Sequence, residues 1–301
     1  MAAKIISGQK IADAILLELG DRFHRLKKIG ITPGLAMVRV GEDPASISYM
    51  NRKEEVARSL GIHTKSVVLP EKTPESLVLK EIQKLNSDPN IHGIIIQQPL
   101  PPHLNPARLV TALDPLKDVD CFHPVNVGKL LLGEPYLLPC TPHGIWQLLL
   151  RSGYSPEGKH VVICGRSNIV GKPLLALLIQ KKAGANATVT VCHTGTPDLS
   201  YFTRQAEILI TAMGAPHAIT ADMVRAGAVV IDVGVNRVPD PTKKTGFRLV
   251  GDTDFHALLD KVEAITPVPG GVGPMTVAML MWNTVLACEA QAGLVQPNRM
   301  P

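Results

Sequence analysis

Aromatic side chains are scarce: two Trp, four Tyr and five Phe make up 4% of 301 residues. The core must therefore rest on Leu, Ile, Val, Ala and Met, as expected where helices cover a parallel sheet. Cysteine is thin as well. Cys121, Cys140, Cys164, Cys192 and Cys288 stand far apart with no C-x-x-C spacing, which excludes a zinc ribbon and a disulfide framework. Odd, scattered thiols are expected to stay reduced, in a cytoplasmic protein. Long apolar runs are missing, and the opening MAAKIISGQKIADAILLEL shows no apolar stretch leading to a small-residue cleavage site, so neither export nor membrane contact is expected. Charge of one sign is weak too. The net charge is +5, and the doublets Lys27-Lys28, Lys181-Lys182 and Lys243-Lys244 are isolated, which argues against nucleic acid as a partner.

What is present is an ordinary globular composition, 45% apolar and 19% charged, long enough for about two domains. Two series of alternating strands and helices can be read. A helix over 8–29 precedes strand 35–41, helix 44–60, strand 67–70, helix 75–85 and strand 92–98. This βαβαβ order implies parallel pairing and right-handed crossovers. Residues 99–142 are Pro-rich with no long periodic element, and a helix over 144–152 leads onward. The second series has strands at 160–165, 188–193, 207–214 and 228–234, with a helix from about Gly171. A Gly/Pro loop at 266–276 precedes an apolar helix over 275–291. The fold class is α/β in two domains.

The segment VVICGRSNIVGKP runs strand, tight turn, helix. Gly165 ends the strand, Gly171 opens the helix and Pro173 suits its first turn. Free N–H groups at such a turn, aided by the helix dipole, suit a phosphate. The full G-x-G-x-x-G pattern is broken at Ser167, so the turn alone is weak; its place in an α/β series strengthens it. The second strand ends Cys192-His193-Thr194-Gly195, without the carboxylate that holds the ribose 2′-hydroxyl of NAD. Arg166 in the turn can pair with a 2′-phosphate. Absent acid and present base favour NADP; a solvated loop arginine is the bland alternative.

In the first series, Tyr49 and Lys53 are four residues apart and share a helix face, with Ser46 nearby. An amphipathic face alone would explain them. Gln97, at the carboxyl end of an apolar strand, is where open α/β sheets bind ligands, and its amide is costly there without a partner. Asp118 and Asp120 lack the third ligand that a metal site needs, and no metal is expected. A carboxylate accepting two hydrogen bonds from an amidine-like edge suits Asp120; loop capping suits Asp118. The run TPVPGGVGPMT packs three glycines and three prolines into eleven residues, a backbone suited to close approach.

Six segments together resemble the bifunctional methylenetetrahydrofolate dehydrogenase/cyclohydrolase family: YMNRK (49–53), GIIIQQPLP (93–101), KDVD (117–120), PCTP (139–142), GRSNIVGKP (165–173) and TPVPGGVGPMTVAMLM (266–281). They occur in the family's order across nearly the whole chain. The resemblance implies a catalytic α/β domain at 1–143, completed by a C-terminal helix at 275–301. A Rossmann-type NADP domain at 144–274 follows, with a cleft between the two and a homodimer as the assembly. It further implies oxidation of 5,10-methylenetetrahydrofolate with NADP, then hydrolysis of the methenyl product to 10-formyltetrahydrofolate.

Carried over by position, Lys53 is the central catalytic group and Gln97 tunes it. Tyr49 stacks on the aminobenzoyl ring, and Asp120 holds the pterin edge. Pro267, Pro269, Gly270 and Gly271 line the folate side, while Gly165, Arg166, Ser167, Thr194 and Val235 hold the cofactor. Three positions depart. Cys121 stands where the family usually has Gly, so a positive φ there would strain the pterin loop. Gln98 replaces a frequent Leu, and Thr194 a frequent Ser or Arg. A two-domain dehydrogenase similar to shikimate dehydrogenase, or a nucleotide-sensing regulator, would share the architecture. The reactive positions and the PVPGGVGP loop speak against both.

Overall fold

The computed structural model describes residues 2–243 and 245–295. Lys244 and the last six positions of the expected C-terminal helix lie outside the described residues. The chain divides into two compact units, Met1–Asp13 with Thr141–Thr276 and Ala14–Cys140 with Val277–Pro301.

In chain order the first elements are β1 (Lys4–Ile5), α1 (Gly8–Lys28), β2 (Gly34–Val40), α2 (Pro44–Ser59), β3 (His63–Leu69), α3 (Glu75–Ser87) and β4 (Gly93–Ile96). Short helices α4 (Pro106–Thr111) and α5 (Pro124–Leu132) precede α6 (Cys140–Arg151). Then come β5 (His160–Cys164), α7 (Gly171–Leu178), β6 (Thr188–Cys192), α8 (Leu199–Thr203), β7 (Ile208–Thr211) and β8 (Val229–Asp232). The series closes with β9 (Asn236–Pro239), β10 (Phe247–Val250), α9 (Phe255–Leu258), β11 (Ala264–Ile265) and α10 (Val272–Gln291).

The three-stranded unit has the order β3-β2-β4, parallel throughout, as the βαβαβ pattern requires. Ala36, Val38 and Val40 of β2 pack with Val78, Ile82 and Leu85 of α3 and with Ile94 and Ile96 of β4. Asn283 Nδ2 of α10 donates to the carbonyls of Val119 and Leu138, both at 2.8 Å, which binds the loop after β4 to that helix. β3 begins four residues before the expected 67–70. Its HTKS start is polar because β3 is an edge strand, and polar residues hide a strand from a reading of apolar runs.

The six-stranded unit has the order β1-β11-β8-β7-β5-β6, with every pair parallel. From β5 the chain passes to β6 on one side and then to β7 on the other. The crevice at such a reversal is where doubly wound sheets take ligands. Two findings lay outside the sequence reading: β1 joins this sheet beside β11, and β9 and β10 form an antiparallel hairpin.

Two helix starts differ from expectation for one reason. α6 begins at Cys140 rather than 144, and α10 at Val272 rather than 275, so the Gly/Pro loop covers only 266–271. Pro142 and Pro274 then fall in first turns, where a missing N–H costs nothing. Among the described residues no helix is long and apolar enough to cross a membrane.

Candidate active site

Asp43 caps α2, its side chain accepting the Ser46 N–H at 2.7 Å, and Pro44 opens the first turn. Ser46, Met50, Lys53 and Ala57 then fall on the buried stripe. A lysine thus occupies a core position and is only 6% exposed. Its Nζ donates to Gln97 Oε1 at 3.2 Å and lies 5.1 Å from the centre of the Tyr49 ring, which is itself 40% exposed. Gln97 follows β4 directly, and its N–H continues the ladder to the Val38 carbonyl at 2.8 Å. Its Nε2 donates to the Gln98 carbonyl at 2.7 Å, which turns Oε1 toward the lysine. Ser46 Oγ donates to that same carbonyl at 3.1 Å.

Burial raises the Asp120 carboxyl, and the Lys53 charge opposes this, so acid and amine share one electrostatic neighbourhood. Tyr49, Lys53, Gln97 and Asp120, singled out from sequence, are therefore brought together in the three-stranded unit. Asp118 does different work: 1% exposed, its Oδ2 accepts the His123 N–H at 2.7 Å and Asn126 Nδ2 at 2.9 Å, the loop capping expected of it. Cys121 has φ of 62°, so a cysteine holds the left-handed backbone usually left to glycine. Its Sγ donates to the Leu137 carbonyl at 3.2 Å. Cys140, which the sequence reading gave no role beyond its motif, lies in the electrostatic neighbourhood of Asp120, and its Sγ donates to the Val119 carbonyl at 3.3 Å.

In the six-stranded unit, Gly165 ends β5 with φ of 138°, and a Cβ there would overlap the Ala212 carbonyl. Ser167 Oγ accepts the Val170 N–H at 3.1 Å and the Gly171 N–H at 3.5 Å, closing the turn into α7. The N–H groups of Arg166, Ser167, Asn168 and Ile169 have no acceptor among the described residues. Exposed donors before a helix N-terminus, on a turn without Cβ at Gly165, fit a pyrophosphate. Arg166 is exposed beside His193 at the end of β6, and Thr194 is exposed. Val235, 61% exposed, follows β8.

Two buried aspartates missed in the sequence shape these loops. Asp232 Oδ1 accepts the Gly234 N–H at 3.0 Å, and its Oδ2 accepts the Thr253 N–H at 2.8 Å. Asp252 accepts the N–H groups of Met213 at 2.6 Å and Ala215 at 2.9 Å, and Asn236 Nδ2 at 2.9 Å. Only their strand-end positions signalled them. Thr266 Oγ1 accepts the Asp232 N–H at 2.8 Å, anchoring the loop that carries Pro267, Pro269, Gly270 and Gly271. There the Gln9 N–H reaches the Gly270 carbonyl at 3.2 Å, and a Cβ on Gly8 would overlap the Gly271 carbonyl. These residues belong to the six-stranded unit, apart from the Lys53 cluster in the division of the chain.

A parallel doubly wound sheet with a phosphate-type turn, joined in one chain to an α/β unit on a three-stranded sheet that carries a buried amine, defines a dinucleotide-dependent enzyme of two-domain build. Residues 139–292 match the model of the tetrahydrofolate dehydrogenase/cyclohydrolase NAD(P)-binding domain, and residues 6–120 that of its catalytic domain. The chain belongs to the tetrahydrofolate dehydrogenase/cyclohydrolase family. A bifunctional protein FolD of Syntrophus aciditrophicus is 55% identical over 294 residues, 98% of this chain and 100% of its own length. Among solved structures, the bifunctional enzyme FolD of Campylobacter jejuni superposes with TM-score 0.90 at 42% identity, covering 96% of this chain and 99% of that one. The Trypanosoma brucei enzyme, complexed with NADP and an inhibitor, gives TM-score 0.92 at 38% identity over 97% and 99%.

Proposed function

We propose that this chain oxidises 5,10-methylenetetrahydrofolate with NADP and hydrolyses the methenyl product to 10-formyltetrahydrofolate. The observation that carries the reading is the buried Lys53 amine, hydrogen-bonded to the neutral Gln97 amide and set beside the Tyr49 ring. NADP, when bound, supplies the acceptor for the hydride of the methylene carbon. Gly165, Arg166 and Ser167 hold its phosphates, with Arg166 on the 2′-phosphate. Thr194 and Val235 border it. Oxidation asks little acid–base help of the chain, because the folate nitrogen lone pair expels the hydride; the protein's work is orientation and exclusion of water.

Hydrolysis asks more. Water adds to the cationic methenyl carbon, and Lys53 Nζ takes one of its protons. The amine passes that proton to the folate nitrogen as its bond to carbon breaks. The new hydroxyl releases its own proton to solvent as the formyl carbonyl forms. Gln97 fixes the amine, Tyr49 stacks on the aminobenzoyl ring and Asp120 accepts from the pterin edge. For Pro267, Pro269, Gly270 and Gly271, contact with folate rests on the family motif.

Five free thiols, all buried, suit a reducing cytoplasm, and the family resemblance favours a homodimer, which light scattering would report as twice the chain mass. The deciding test adds methylenetetrahydrofolate and either NADP or NAD to purified protein, following reduced nicotinamide, and separately follows methenyltetrahydrofolate without cofactor. Reduction with NADP together with loss of the methenyl band is expected. Absence of both would sink the reading.

A further inference from the structure

The end of β6 holds a conflict between donors. His193 Nδ1 lies 3.0 Å from the Gly195 N–H, while Nε2 of the same ring lies 3.4 Å from Arg166 Nη1. Both neighbours donate, a guanidinium accepts nothing, and a neutral imidazole has a single acceptor nitrogen. The shorter Gly195 contact takes the lone pair of Nδ1, which assigns the ring proton to Nε2, facing the guanidinium. The ring has little freedom to turn away. The His193 N–H donates to Thr196 Oγ1 at 2.9 Å, and a Cβ on Gly195 would come within 3.1 Å of ring Cε1. No ion pair joins Arg166 to a carboxylate among the described residues.

Two donors aimed at one space are reconciled by an acceptor that takes both protons, and an oxygen-rich anion does so with charge-assisted bonds. The location says which anion. His193 follows the second strand of the dinucleotide fold, where NAD-binding proteins place an acid that accepts from the ribose 2′-hydroxyl. A donor in that place suits a ribose whose 2′-oxygen carries phosphate.

We propose that His193 is a specificity-determining residue of the cofactor site, its Nε2–H donating together with Arg166 to the 2′-phosphate monoester of the dinucleotide. This deepens the NADP reading and rests on it, but on none of the folate chemistry.

Calorimetric titration of the full chain with 2′,5′-ADP and with 5′-AMP tests it, in the wild type and in His193→Asn, His193→Gln and Arg166→Ala. Asparagine keeps an acceptor for the Gly195 N–H but lacks the far donor; glutamine restores a donor near Nε2. The wild type is expected to prefer 2′,5′-ADP. The preference should fall about tenfold or more in His193→Asn, as for a lost hydrogen bond to a charged group, and recover in His193→Gln. A purely structural histidine would weaken both probes alike, and that result would overturn the proposal. So would an unchanged preference in His193→Asn while Arg166→Ala loses it, which would leave the NADP reading standing. A wild type with no preference would overturn both.

Discussion

Lys53 and Gln97 meet at 3.2 Å although 44 residues separate them. One lies on the buried stripe of α2 and the other directly follows β4, so the pair is fixed by two elements packed on the same sheet. The carboxamide is itself held by the Gln98 carbonyl, which leaves the amine little choice of direction.

Lys53→Met keeps the stem and removes the proposed proton carrier. Hydrolysis of methenyltetrahydrofolate should fall by about two to four orders of magnitude, read as persistence of the methenyl band. NADP affinity should not change. Full hydrolysis in this variant would take Lys53 out of the mechanism.

Arg166→Ala should raise KM for NADP by at least about tenfold, the scale of a lost charge-assisted bond, and that for NAD far less. Steady-state kinetics with each dinucleotide measures the ratio. Equal losses would contradict a 2′-phosphate role.

His143 gives a pH prediction. Burial first, then the charges of Lys182 and Arg151, press its pKa from 6.5 down to about 3. The unfolded chain binds a proton below pH 6.5 that the folded chain refuses until about pH 3. Its contribution to stability is therefore complete above pH 6.5 and is lost as pH falls toward 3, at a slope approaching about 1.4 kcal/mol per pH unit. Urea unfolding between pH 7 and pH 4 should show the wild type losing ground to His143→Gln as pH drops. Parallel curves would mean the ring is not held neutral.

Cys121→Gly sets relief against loss. The left-handed backbone costs a non-glycine residue about 1 kcal/mol, whereas glycine costs a similar amount in chain entropy and gives up a buried thiol. Unfolding free energy should move by no more than about 1 kcal/mol, and KM for folate should stay the same. A large drop in stability or a large rise in KM would show that the Sγ contact to Leu137, rather than the backbone, shapes the Asp120 loop.

The Lys53–Gln97 contact was legible because its residues break a local rule: Lys53 on a helix stripe and Gln97 after three isoleucines are polar where apolar is cheaper. The tight turn after β5 was legible through Gly165. Asp232 and Asp252 were not, since an aspartate at a strand end looks the same whether it caps one N–H or braces several loops. The β9–β10 hairpin escaped because its proline, lysine and glycine content imitates an irregular loop, and its pairing is decided by tertiary contacts. Both helix starts were placed late because a proline was taken as a boundary when it was a first-turn residue. The partner of β1 lies some 260 residues away, and periodicity carries no information about pairing at that range.

That last pairing bears on how the protein is made. Lys4 and Ile5 leave the ribosome some 260 residues before Ala264 and Ile265, with which they pair. The whole intervening polypeptide, including most of the other unit, must be synthesised first. Closure of so distant a loop is slow, so the larger sheet is finished only after β11 has been made. Until then the edge of β8 that β11 will cover stays free, a place where a nascent chain can mispair.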